Sequence, residues 1–586
     1  MTAIKLNGFS GEQPRTTPRL LPVTAAQETL NTRLETGSLK PYYQPAPAFS
    51  LPAPAASYLT IYKHGDDWLG FEKDVDLAPG PVAQDRLYYT GDGLPKMRVG
   101  GAVYALAVPR PTVSLTGSAS GVGVGDVTTR LYVYTFVTDF GEESEPCPVS
   151  NEVDWQAGQT VTLSGFAAAP AGRGITRQRI YRSQTGLSGV TDLFFIAERA
   201  ASAGNFVDNI AVDAFDEVIP SLNWNAPPDA LQGLTSMPNG MMAAFVGKDL
   251  YFCEPWRPHA WPEAYVLTTE FEIVALGAIG TSLVIMTKGH PYFVSGTTPE
   301  TMTMEKIEAN QPCINARGVI DLGYAIAYPS FDGLVTVDGS GSIKTISGSL
   351  FTPDEWRKLN PGTMCAGQIT GRWVGSYSSV DDNGQPVKGS IMIDTSGAVP
   401  FLIRSDVYAS AWFYHLEEGA LYFTEPESAT IYRFDPPGGV RAKQYWRSRP
   451  FVLMAPDNFA AIKVDAAGGL SSAEVDAITA EVAAITAANQ ALIAAGSVLG
   501  DLGSSLVGAV SVSGDILTPL PDAGTSTVSV GVYADGVKIA TVSAANKVKR
   551  LPSGFLANVW EIDAFGDVEI LQVVMATTVD ELKAVQ

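Results

Sequence analysis

A strand-turn-strand unit returns along most of this chain, and it constrains the fold more than any other feature. Residues 231–296 read as two hairpins, one turning at 247–249 (Gly-Lys-Asp) and one at 280–282 (Gly-Thr-Ser). Met242, Ala244 and Val246 alternate with their neighbours, as do Leu250 and Phe252, which is the period of half-buried antiparallel strands. Further hairpin turns stand at 63–67, 90–93, 331–333, 338–341, 381–384 and 417–419. The interval is about 40 residues, the spacing of β-propeller blades. Between the first two hairpins runs a crossing with Pro255, Trp256, Pro258, His259, Trp261 and Pro262, which can be neither helix nor ladder. It is expected to connect successive blades.

A chain of 586 residues is too long for one core and should divide into three or four domains. Its 57 glycines and 39 prolines suit an all-β architecture with many turns. The expected fold is an irregular β-propeller with an inserted immunoglobulin/fibronectin III-like β-sandwich and a C-terminal β module carrying a helical insertion. Residues 1–55 read as a proline-rich arm with one helix and no core of its own, packed on the following domain or a neighbouring subunit. Thr24 and Gln27 match a capping box, Ala26, Leu30 and Leu34 share a helical face, and Gly37 supplies the stop. Residues 56–108 form the first part of the propeller and 223–446 its main part. Between them, 109–222 is the sandwich, with Tyr132, Tyr134 and Phe136 on one face and Leu131, Val133 and Val137 on the other.

The C-terminal module spans 447–586, with a helix at 471–495 and a short amphipathic helix at its very end. Val475, Ile478, Val482, Ile485, Asn489 and Leu492 alternate at three and four, a heptad seam suited to self-association. The run after it is weakly apolar and poor in charge. Three uses stay open for this region: packing on its own sheet, a seam between copies, or a tip that touches the host outer membrane.

No motif makes the chain an enzyme, and no cofactor is implied. The net charge of −22 argues against gripping nucleic acid through clustered Lys and Arg, yet an acidic wall lets DNA slide past. Cys147, Cys253, Cys313 and Cys365 are scattered, so neither a zinc site nor a disulfide framework is indicated. His64, His259, His290 and His415 lack ligand spacing and read as turn or interface histidines. The glycine-rich run at 117–126 has no Lys-Ser/Thr of a phosphate loop and reads as a flexible linker. Asp332, Asp381, Asp382 and Glu417 sit at hairpin tips, where turn geometry selects such residues, rather than in the cleft a glycosidase needs. Trp256, Trp261 and Tyr265 form a candidate aromatic surface for stacking on sugar, with packing between blades as the competing use.

Several stretches in order resemble one family. FSGEQPRTTPRLLPVTAAQETLNTRLETGSLKP near the N-terminus is similar to the start of bacteriophage tail nozzle (tail hub, tail tubular protein B-like) proteins. So are DRLYYTGDGLPK, SMPNGMMAAFVGKDLYFCEPWRPHAWPEAY, IVALGAIGTSLVIMTKGHPYFVSG and the ending RLPSGFLANVWEIDAFGDVEILQVVMATTVDELKAV. The likeness is weakest over 110–222 and 470–525. It implies a virion protein, assembled in the bacterial cytoplasm, that forms a homohexameric ring at the distal end of a short tail. Its implied partners are the adaptor (head-to-tail connector) ring, tail fibres or spikes, and genomic DNA passing through the lumen without specific binding. The alternatives are a receptor- or glycan-binding tail protein and a propeller glycosidase.

Overall fold

Six four-stranded antiparallel sheets and one hairpin follow one another around an axis in the computed structural model, which describes residues 3–185, 191–380, 383–395, 399–467, 472–494 and 528–585. The innermost strands of the six blades are Asp76–Pro79, Gln232–Ser236, Ile273–Ile279, Ile320–Asp321, Cys365–Ile369 and Ala411–His415. Each touches the next in that order. The hairpin Thr60–His64/Asp67–Phe71 fills the gap between the sixth blade and the first. Phe71 packs on Tyr89 of blade one, 5.6 Å between ring centres, so the circle closes at seven positions. The chain is all-β, and the propeller is irregular because one position holds two strands instead of four.

Some middle strands of the blades, such as Ser282–Thr287 and Ala325–Ser330, are buried along their whole length. A blade is covered on both faces by its neighbours, so its middle strands read as continuous apolar runs. Alternation survives only towards the outer edge, where one face meets solvent. The last blade takes its outermost strand, Ala46–Ser50, from the N-terminal segment, which closes the ring by pairing rather than by packing alone.

The N-terminal 55 residues are not an arm with a helix. Residues expected to be helical form strands Ala26–Leu30 and Thr32–Arg33. Thr29, β-branched, and the following Asn31 at φ 52° suit a strand that ends in a turn, and pairing with Gln444–Ser448 outweighs the local capping signal. Nor does the segment pack mainly on the domain that follows it. Ala3–Leu6 pairs with Glu569–Ala576 and Ala26–Leu30 with Gln444–Ser448, both in the C-terminal module. That module has a four-stranded and a six-stranded sheet, and its terminal helix Val579–Val585 packs on the first.

The sandwich sits on the connection from blade one's outermost strand, Ala102–Ala105, to blade two's innermost, Gln232–Ser236. The stretch 117–126 is not a linker, because most of its residues lie in strands Thr116–Ser120 and Val124–Arg130, with 121–123 between them. Small side chains admit close approach there: a Cβ on Gly117 would lie 2.6 Å from Val153. The Pro-Trp crossing also differs from its expected place. It lies inside blade two, between Asp249–Phe252 and the outer strand Leu267–Thr268, not between blades. The outer strand is only two residues long, so the preceding chain is free to leave the sheet.

Candidate functional site

The inner strands run side by side in one direction: Gly233 N–H donates to Asp76, and Ser236 Oγ donates to the Pro79 carbonyl. Residues just before these strands therefore gather at one mouth of the ring. Arg317, ahead of blade four, donates to the Leu59 carbonyl at 3.4 Å and to that of Ser410. Leu59 precedes the two-stranded position and Ser410 precedes blade six, so the guanidinium spans the mouth. Burial raises the Asp74 carboxyl above the usual range, while Arg317 pulls it down. Asp76 is pushed up to about 7, first by desolvation and then by the Asp74 charge, against the Gly233 N–H. Asp76 is itself exposed on the innermost strand, so it is the density of protein atoms around the mouth, not enclosure from solvent, that disfavours its charge. Further along, a cavity of about 290 Å³ is lined by Thr235, Ser236, Gly277 and Asp321 among others. Arranged this way, polar groups tie three ring positions together and place the Asp76 carboxyl on the innermost strand of blade one.

A second polar cluster fixes the sandwich to the ring. Glu142 and Glu143 are buried where the turn after Tyr132–Thr138 meets the ring. Glu142 pairs with Arg173 at 2.6 Å and with Arg86 of blade one at 3.7 Å. Glu143 accepts from Tyr181 at 2.6 Å, Thr135 at 2.8 Å and Arg179 at 2.9 Å. Its backbone carbonyl lies 3.1 Å from His259 Nε2, in the Pro-Trp crossing. His259 is held down at about 3 by desolvation first and then by Arg173 and Arg257. Trp224 packs edge-on against His259, and Arg257 lies over the Trp224 ring. Arg173 also reaches the carbonyls of Leu106 and Ala107, the chain entering the sandwich. The crossing is thus a bracket for the sandwich.

Of the aromatic surface, the structure leaves one member exposed. Trp261 is buried, its Nε1 donating to the Pro258 carbonyl. Tyr265 is half-buried, its one hydroxyl lying within hydrogen-bond distance of both the Glu254 and Glu300 carboxylates. Trp256 is 57% exposed at φ 62°, lying over Gly240, where a Cβ would come within 2.4 Å of its ring. These three do not make one sugar platform, because burying Trp261 serves the core between blades one and two.

The helix Ser472–Ala494 is present, and Val482, Ile485, Asn489 and Leu492 lie half-buried along one side of it. The side chains of Val475 and Ile478 lie outside the described residues, as do Asp381 and Asp382. No described helix is long and apolar enough to cross a membrane. His64 contacts Arg98 at 3.1 Å, His290 the Ala309 carbonyl at 3.0 Å, and His415 lies 3.6 Å from Glu418. Among the described residues no group of three acidic, His or Cys side chains could hold a metal. All four cysteines are buried and free, and burial pushes Cys253 and Cys313 up to about 12. Asp332 and Glu417 are exposed at hairpin tips, Asp332 lying 3.7 Å from Arg357. Sequence reasoning passed over Arg317, Asp74, Asp76, Glu142 and Arg173. They come from four separate segments, Asp74 and Asp76 sharing one, and only the adjacent pair Glu142-Glu143 after a turn glycine carried any signal.

No protein-family model and no curated protein matches the chain. Solved structures match it loosely. The N-terminal domain of Nup159 aligns at 8% identity and a TM-score of 0.22, covering 47% of this chain and 86% of its own. The extracellular domain of the putative hybrid two-component system BT4673 from B. thetaiotaomicron aligns at 8% identity and 0.23, covering 92% and 63%. A gluconolactonase from Xanthomonas campestris, XC5397, aligns at 9% identity and 0.21, covering 68% and 100%.

Proposed function

We propose that this chain is a structural subunit of a short bacteriophage tail, present in about six copies in the nozzle ring that holds back and then conducts the genome. The observation that carries the reading is the interlocking of the chain's two ends. The N-terminal segment supplies a strand to the last blade and strands to both sheets of the C-terminal module. Pulling the ends apart requires breaking two sheets at once, which suits a part that resists the pressure of packaged DNA. The acidic balance fits a conduit that repels phosphate. A complex of about six times the 62.1 kDa chain mass in solution, and its location at the tail tip in virions, test the proposal. A protein that stays single at every concentration, or that binds duplex DNA tightly at moderate salt, contradicts it.

One observation favours a second reading, a glycan-binding tail protein. A cleft of about 410 Å³ between the N-terminal segment, blade six and the C-terminal module is lined by Asn31, Gln44, Asp406, Glu425 and Tyr432 among others. Planar polar groups beside an aromatic ring suit a sugar. Retention of host surface polysaccharide, lost with Tyr432→Ala, would select this reading over the first.

A further inference from the structure

Two buried guanidiniums in the sandwich share one carboxylate. Arg182 is fully buried, and its Nη1 donates to both Asp208 oxygens, at 3.2 and 3.0 Å, and to the Ile210 carbonyl. Its Nη2 donates to Gln184 and to the Ala211 carbonyl. Asp208 also accepts from the Tyr132 hydroxyl at 2.8 Å and from the Ile210 N–H at 3.1 Å, so it is fully engaged. Arg130 is buried too, 5% exposed, and Asp208 is the one carboxylate within 4 Å of it among the described residues, at 3.6 Å. One negative charge therefore serves two positive ones, and Arg130 carries the surplus. Burial lowers its pKa first and Arg182 adds to the fall, against the support of Tyr132 and Asp208. Its guanidinium is held in place by an aromatic face, 3.4 Å from the centre of the Trp155 ring. That contact fixes its position without supplying a counter-charge.

Arg130 opens on a cavity of about 450 Å³, which it lines with Ser183, Gln184, Thr185 and Thr191 among others. That volume lies in the range of small-molecule sites, about 300–1,000 Å³. Proton donors remain there. Ser183 Oγ accepts the Leu131 N–H at 2.8 Å, which leaves its own proton to give. The Thr185 and Thr191 hydroxyls lie 3.1 Å apart, and one proton suffices between them. The Gln184 amide is taken, donating to the Val212 carbonyl and accepting from Arg182. Two further carboxylates stand nearby: Asp154, which accepts from Thr129 at 3.1 Å, and Asp192, which is opposite Gln184 in the sheet. Both are exposed, and neither is within ion-pair distance of Arg130 or Arg182. Water and salt screen them, so they do not neutralise the buried charge.

We infer that the sandwich binds an oxyanion at Arg130, a carboxylate or phosphate group held between that guanidinium and the hydroxyls of Ser183, Thr185 and Thr191. A buried cation is costly until it is paired, and hydrogen bonds from a guanidinium to an oxyanion are about twice as strong as neutral ones. The ligand supplies the charge that Asp208 alone does not. The site is separate from the Tyr432 cleft, and it requires no particular number of copies.

Glucuronate, inorganic phosphate and glucose, each titrated calorimetrically into the full-length protein at low salt, test it. At least one of the two anions should bind, roughly tenfold or more tightly than glucose, because only they meet the surplus charge. Preference for glucuronate assigns a carboxylate, and preference for phosphate assigns a phosphate group. Arg130→Gln should weaken the preferred anion roughly tenfold or more while circular dichroism stays that of the natural protein. If that variant loses its fold, the double variant Thr185→Val with Thr191→Val, at two exposed strand positions, decides instead, with a loss of roughly threefold. Failure of both anions to bind would overturn the inference. So would equal binding of glucose, or an affinity that a folded Arg130→Gln protein retains in full.

Discussion

The inserted sandwich and the C-terminal module both join the ring, but different forces hold them. The sandwich has its own core around Tyr132, Tyr134 and Val161, and meets the ring through buried ions: Glu142, Arg173, Arg86 and the neutral His259. The C-terminal module shares one continuous apolar core with blades five and six and the N-terminal segment, including Phe9, Met392, Trp412, Trp446 and Trp560. Trp446 packs edge-on against Phe9 at 5.0 Å and donates to the Ser10 carbonyl. Even its buried charge is woven in. Glu12 exchanges backbone hydrogen bonds with Leu402 of blade five while its carboxylate accepts from Thr29 and Arg404. Burial raises that carboxyl, against the pull of Arg404. One attachment is a local polar lock between bodies with separate cores, the other a shared core.

That contrast predicts unequal responses to damage. The largest effect should follow removal of residues 1–25, which strips a strand from one sheet and the contacts of Phe9 and Glu12 from another. The loss should rival the roughly 5–15 kcal/mol that holds a whole domain, and thermal melting should show the C-terminal module unfolded. A cooperative, unshifted melt would break the comparison. Next, Trp446→Ala should cost about 3–5 kcal/mol through cavity formation and lower the melt of ring and module together.

Arg173→Ala should cost about 3–5 kcal/mol at the junction by leaving Glu142 buried without its nearer partner. Here the melting of the ring should move little, while protease should cut the chain near 106–110 much faster. Equal destabilisation of both bodies would show that the junction is not a separate lock.

Smaller effects should appear with pH. His259 has its folded pKa lowered to about 3 from an ordinary 6.5, so the unfolded or undocked state binds the extra proton. Its stabilising share is complete above 6.5 and is lost as pH falls towards 3, and His259→Gln should flatten that slope. Asp76 works in the opposite sense, with its folded pKa raised from 3.8 to about 7. The native state binds the extra proton between those values, so stability contributed at this site declines as pH rises from about 4 to 7. Asp76→Asn should remove that decline, read from melting temperature against pH. The same slope in the variant would place the titration elsewhere.

Hairpin turns, the 40-residue interval and the insertion of a second β body were legible because they depend on local chemistry. Glycine and Asp-Gly turns select their own conformations, and two-residue alternation needs only one solvent-facing side. The terminal helix Val579–Val585 and the long helix Ser472–Ala494 were legible for the same reason. The 24–37 segment was misread because its capping signal is local, whereas its strand partner at Gln444–Ser448 lies more than 400 residues away. The 117–126 run was misread because glycines that admit close packing look like glycines that confer freedom.

By itself, the sequence determined a chain of many short strands, acidic overall, with turns at regular intervals and no ligand-spaced cysteines or histidines. Only the tertiary structure decided that the two ends weave together, that Arg317 spans the ring mouth, and that Glu142 meets Arg173 and Arg86. Local propensity is written in neighbours along the chain, but buried charge pairs and sheet closure join residues from distant segments. Their energies arise only when folding brings those segments into contact and removes the water between them.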